Sequence, residues 1–186
     1  MKDSKAPGVG AVADFFTASE GAGTDTMMLT ELNTVPRYRA EAEFMHVCGS
    51  RTWVRSMAGR RPFGDPDRLL RAASEVWWSL DETDWQEAFS AHPKIGATPS
   101  SAWSAQEQSG MRRASAGVTT ELEVANEEYL AKFGYIFIVC ASGKSAEDML
   151  AILRSRLSNP PEREIRIAAE EQDKIIRLRL EKLLKT

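Results

Sequence analysis

From Thr30 onward, apolar residues return every three or four positions, the spacing that lines up one face of an α-helix. Thr30 stands before Glu31 and Leu32 as a helix start, and Pro36 interrupts soon after, so the first helices are short. Phe44, Val47, Cys48, Trp53, Val54 and Met57 keep helical spacings that Gly49 breaks, which predicts two short helices over 44–58. Asp65-Pro66 opens the next helix, with Leu69, Leu70, Ala73, Val76 and Trp77 as its buried stripe and Leu80 at its end. Acids between Asp81 and Asp84 suit the positive end of a further helix, which carries Trp85, Ala88 and Phe89 toward His92. Pro93 ends it, because the residue before a proline is driven out of the helical region.

Residues 94–103, rich in glycine, proline and serine, read as a loop, after which Ser104 caps a helix running through Glu107, Gln108 and Met111. Leu122, Ala125, Tyr129 and Phe133 give a later helix that Gly134 stops. Residues 135–141 form an apolar run with β-branched and aromatic members, which fits a short extended piece, although periodicity alone does not decide it. Ser145 to Asp148 has the form of a capped helix start, with Met149, Ile152 and Leu153 inward until Asn159-Pro160-Pro161. The last helix runs from about Glu162 to Leu184. The expected architecture is all-α: a single compact multi-helix domain over 27–186, with one short extended apolar segment near 135–141, behind a flexible extension at 1–26.

Composition narrows the function classes. A chain of 186 residues, 42% hydrophobic and 27% charged, can bury one substantial core and has no disordered bias overall. Its net charge of −3, with acids and bases interspersed, offers no nucleic acid or anionic membrane a general attraction, so an anionic small molecule needs a local basic site. The apolar run at 135–141 is far shorter than the roughly 20 residues that span a bilayer. Two cysteines, Cys48 and Cys140, without CxxC spacing, and two histidines, His46 and His92, support no zinc site; reduced thiols in an intracellular compartment are the simpler reading. Residues 1–26 lack the charged and apolar regions of a secretory signal, and Leu183-Leu184-Lys185-Thr186 is not a Ser-Lys-Leu address, so a cytoplasmic or peroxisomal location stays open.

A few residues could carry chemistry. His92, at the negative end of a helix dipole, should favour its protonated form and so suit a general acid; a histidine merely satisfied by a carbonyl is the alternative. Glu107 completes a Ser104-x-x-Glu107 capping box, yet the same helix start offers main-chain N–H groups to a carboxylate or carbonyl. Arg179 falls in phase with Ile165, Ala168, Ala169, Gln172, Ile175, Ile176 and Leu183, while Arg177 does not. A guanidinium on an apolar stripe needs a partner, either an anionic ligand or a protein carboxylate. The tryptophans Trp53, Trp77, Trp78, Trp85 and Trp103 read mostly as core, and Cys140 as a small buried residue with no basic neighbour in sequence.

Taken together, the stretch from Asp84 to Gly96 containing Ala91-His92-Pro93-Lys94-Ile95-Gly96, then Ser104-Ala105-Gln106-Glu107-Gln108-Ser109, Asn126 and Tyr129, Lys132 to Gly143, and Glu170 to Leu184 form an ordered set. In that order and spacing the chain resembles the 2-oxo-4-hydroxy-4-carboxy-5-ureidoimidazoline (OHCU) decarboxylases, and in particular the decarboxylase half of the plant two-domain allantoin synthases. Those plant proteins continue into a transthyretin-like domain that hydrolyses 5-hydroxyisourate, whereas this sequence stops at Thr186, so that step is not expected of it.

The resemblance implies an all-helical, cofactor-free carboxy-lyase of urate breakdown, commonly a homodimer, whose partner molecule is a small ureidoimidazoline and which releases (S)-allantoin. It makes His92 the catalytic histidine, Glu107 its acidic companion and Arg179 the substrate-holding arginine. Pro93, Ser104, Ala105, Gln106 and Gln108 would bind substrate together with the main chain of Phe137, Ile138, Val139, Cys140 and Ala141. A helical module that only binds its ligand in the same groove is the rival reading, separated from the enzyme by what loss of His92 does to turnover.

Overall fold

In a computed structural model, residues 27–95, 106, 109 and 114–184 are described. They form eight helices: α1 (Leu29–Thr34), α2 (Arg37–Val47), α3 (Arg51–Gly59), α4 (Pro66–Ser79), α5 (Glu82–Ser90), α6 (Ala116–Phe133), α7 (Ala146–Arg156) and α8 (Pro161–Leu183). No strand occurs among the described residues; a lone parallel bridge joins Met27 to Leu184. None of these helices is long and apolar enough to cross a membrane.

The first helix begins at Leu29 behind Met28, one residue before the expected start at Thr30 and without a side-chain cap, while other helix starts are capped by side chains. Asp65 accepts from the main-chain N–H of Arg68 with Pro66 in the first turn, Asp81 from that of Asp84, and Ser115 from that of Val118. Ser145 and Asp148 exchange hydrogen bonds in a full capping box. At the end of α6, Gly134 takes a φ of 79°, a left-handed conformation in which a side chain would be strained.

Tryptophan indoles tie these helices together. Trp53 Nε1 donates to Ala73 O at 3.1 Å, linking α3 to α4; Trp77 Nε1 donates to Ala169 O at 2.9 Å, linking α4 to α8; Trp85 Nε1 donates to Trp77 O at 3.1 Å, linking α5 to α4. Each indole thus contributes apolar area without leaving its N–H unpaired, and all three are buried. Trp78 is 41% exposed, so it stands at the rim of the core. Trp103 lies outside the described residues. Along α8, Ile165, Ala168, Ala169, Gln172, Ile175, Ile176, Arg179 and Leu183 are buried and Arg177 is exposed, as the phase of the helix requires.

Residues 135–141, all buried except the half-buried Ile136, join no helix and pair with no strand. Ala141 O accepts from the Lys144 main-chain N–H at 3.0 Å, and side chains meet other main-chain groups of the segment. Arg156 Nη1 donates to Ile138 O at 2.8 Å, Glu171 Oε2 accepts from the Cys140 N–H at 2.8 Å, and Lys144 Nζ donates to Cys140 O at 2.7 Å.

Candidate active site

The amphipathic helix α5 delivers His92. Its buried face of Trp85, Ala88 and Phe89 fixes the helix against the core, and the chain then leaves it through a turn in which His92 N–H donates to Phe89 O at 3.1 Å. Two contacts with the start of α3 hold this turn. Glu87 accepts from the Arg51 main-chain N–H at 3.0 Å and pairs with its guanidinium at 2.5 Å. Gly49 packs so closely that a Cβ there would lie 2.3 Å from Ala91 Cβ, which is why the break between α2 and α3 is a glycine.

Downstream of His92, Asn126 of α6 donates to Ile95 O at 3.4 Å and to Leu122 O at 2.8 Å, and Lys94 pairs with Glu127 at 2.5 Å. The turn is therefore clamped on both sides.

His92 and Pro93 face the segment 137–141 across a concave pocket with about 450 Å³ of empty space including its mouth. Ile95, Ser142, Ile175 and Leu178 complete the described lining. Thus His92, Pro93, Phe137, Ile138, Val139, Cys140 and Ala141, singled out from sequence, lie around one cavity. Ser104, Ala105, Glu107 and Gln108 lie outside the described residues; Gln106 is described, as an exposed helical residue.

Arg179 is buried on α8 with its Nη1 3.4 Å from both His46 O and Val47 O, the carbonyls at the end of α2. A guanidinium suits this negative helix terminus, and its charge is felt at His92. Here the structure corrects the expected protonation. Burial, with Arg179 adding to it, pushes the imidazole down to about 3, and the favourable contribution of Gln172 does not restore it. The helix dipole loses to desolvation, and His92 is neutral near pH 7. Its Nε2 is buried without a hydrogen-bond partner among the described residues.

The wall opposite His92 is held by charged groups that sequence reading did not assign to the site. Arg156 bonds Glu164 Oε1 through Nε at 2.7 Å and Nη2 at 2.6 Å, Tyr129 Oη donates to the same oxygen at 2.5 Å, and Asn159 Nδ2 donates to Glu164 Oε2 at 2.7 Å. Glu164 is fully buried and every one of these bonds offsets part of its desolvation. Burial of Glu171 would raise its carboxyl, but Lys174, the Cys140 N–H and Lys144 outweigh that and hold it below its ordinary value. A usable signal existed: Arg156 is in phase with Met149 and Leu153, and Glu164 with Ala168 and Gln172, the argument that found Arg179.

Comparisons with known proteins bear on this pocket. A family model described as OHCU decarboxylase matches residues 33–181. The uric acid degradation bifunctional protein TTL of Arabidopsis thaliana is 41% identical over 152 residues, which covers 77% of this chain and 47% of that protein. The 2-oxo-4-hydroxy-4-carboxy-5-ureidoimidazoline decarboxylase of Amia calva is 30% identical over 131 residues, covering 67% of this chain and 75% of that one. A crystal structure of OHCU decarboxylase in the presence of (S)-allantoin superposes with a TM-score of 0.70 at 42% identity, over 76% of this chain and 96% of that chain. The chain spans about half the length of the Arabidopsis relative.

Proposed function

Since the chain belongs to the OHCU decarboxylase family, we propose that it converts 2-oxo-4-hydroxy-4-carboxy-5-ureidoimidazoline to (S)-allantoin and carbon dioxide in urate breakdown. The observation that carries this reading is the pocket itself, in which the buried, neutral imidazole of His92 meets the clamped main chain of 137–141 with the Arg179 charge close by.

The substrate bears a carboxyl and a hydroxyl on one ring carbon. When the bond to the carboxyl breaks, its electron pair moves into the adjoining ring and ureido system. The hydroxyl gives up its proton as it becomes a ring carbonyl, and a proton is delivered to one face of the neighbouring carbon. A neutral His92 fits the receiving role in this sequence, taking the hydroxyl proton and returning one, with Glu107 as its companion. Arg179 and the main chain of 137–141 hold the polar groups of the ring, and Pro93, Ser104, Ala105, Gln106 and Gln108 are the further substrate-binding residues that the family resemblance implies.

The scheme draws on no cofactor and on one small-molecule partner. We place the protein in the cytoplasm or the peroxisome as a homodimer, on the family resemblance alone; sedimentation tests the assembly.

The activity test generates the substrate freshly from urate with urate oxidase and hydroxyisourate hydrolase, adds this protein, and follows optical rotation. Since the substrate also decays unaided to a racemate, handedness is the cleaner readout. Rotation of one sign is the expected result, and a racemic product overturns the proposal. His92→Asn should abolish the accelerated, one-handed product while keeping the helical circular dichroism; full turnover in that variant would remove His92 from the mechanism, and a parent protein that holds the ligand without turning it over would favour the binding-module reading.

A further inference from the structure

Gln172 sits on α8 between Ala169 and Ile175, fully buried. Neither its Oε1 nor its Nε2 has a hydrogen-bond partner among the described residues. A buried primary amide with both ends unpaired costs stability, and an apolar side chain of the same length would avoid that cost. A second orphan, His92 Nε2, belongs to a residue that lines the pocket together with Ile175, the neighbour of Gln172 on the buried face of α8. An amide on that face favours the protonated imidazole, against the effect of burial. Ile175, one turn further along the same face, lines the pocket, and Arg179 follows one turn after it.

We propose that Gln172 is a positioning residue for His92: its amide, held in the core of α8, orients the imidazole and selects which ring nitrogen carries the proton. An imidazole that stays neutral has one donor nitrogen and one acceptor nitrogen, and only one arrangement presents the acceptor to the substrate hydroxyl. An amide offers both an acceptor and a donor, so it can hold either ring nitrogen and fixes the choice by its own orientation. The inference rests on the role proposed for His92, but the coupling of the two side chains can be measured apart from turnover.

Gln172→Met removes the amide and keeps length and helix propensity. The expected result has three parts: a melting temperature equal to or above that of the parent, a kcat lower by about 10-fold or more with KM changed less than about twofold, and altered imidazole ¹⁵N shifts for His92. With only two histidines in the chain, exposed His46 serves as the internal reference in such spectra. A kcat within about twofold of the parent, or unchanged His92 shifts, overturns the proposal, as does a marked fall in melting temperature, which would make Gln172 a structural anchor.

His92→Asn in the otherwise intact protein gives an independent second reading. The Gln172 side-chain NH2 resonances should move, and their staying in place overturns the coupling. Full turnover in His92→Asn with moved Gln172 signals would instead remove the catalytic role of His92 and leave the contact standing.

Discussion

His92 and Arg156 meet the same difficulty, an ionisable group inside the protein, in different ways. Arg156 is met by the Glu164 carboxylate, Tyr129 Oη and Ile138 O. Its loss should therefore be expensive: Arg156→Met strands the Glu164 carboxylate and is expected to cost about 3–5 kcal/mol in urea unfolding, much of it recovered by adding Glu164→Gln. His92 gives its charge up. With a folded pKa of about 3 against 6.5 for the free group, the unfolded chain binds the extra proton between those values, so stability falls as the pH drops from about 6.5 toward 3. Above that window His92 adds no pH dependence. His92→Asn should flatten this part of the stability profile, read from melting temperatures at stepped pH. Arg179→Met is expected to lower kcat/KM by about 10- to 100-fold, the worth of one or two charge-assisted hydrogen bonds, while Arg177→Met leaves it unchanged. The two residues are about 200° apart around the helix, and equal losses in stopped-flow polarimetry would contradict their placement.

Among the elements, local chemistry was readable and long-range satisfaction was not. Asp65-Pro66, Asp81, Ser145 and Gly134 announce helix ends because each acts on its own neighbours within a turn. The segment 135–141 has the composition of a strand, but its main-chain bonds go to Arg156, Glu171 and Lys144. Arg156 and Glu171 approach from helices that no local pattern joins to it, so an extended composition ends in a buried stretch without a ladder. Gly49 shows the same limit. Sequence marks it as a helix break, while the structure shows it making room for Ala91, next to His92. Gly49→Ala should force the α5 turn away from α3, lowering kcat more than it lowers α-helical circular dichroism. Loss of helical signal in step with activity would mean that the glycine serves only the packing of α3.

Across the whole molecule, the helix phases pointed to one core, and the indole hydrogen bonds from Trp53, Trp77 and Trp85 show how it is tied. Which helices those indoles join could not be read from spacing, since Trp77 reaches Ala169 across ninety-two positions. The bridge between Met27 and Leu184, with Met27 N–H donating to Leu183 O at 2.8 Å, has a different consequence. It brings the two extremities of the described fold within one hydrogen bond of each other. A body whose entrance and exit coincide can be carried as a parcel inside a surface loop of another protein, displacing the host strand by almost nothing. By the same geometry, those ends can be spliced by a few residues and the chain opened elsewhere, leaving the pocket around His92 intact while the order in which its walls are synthesised changes.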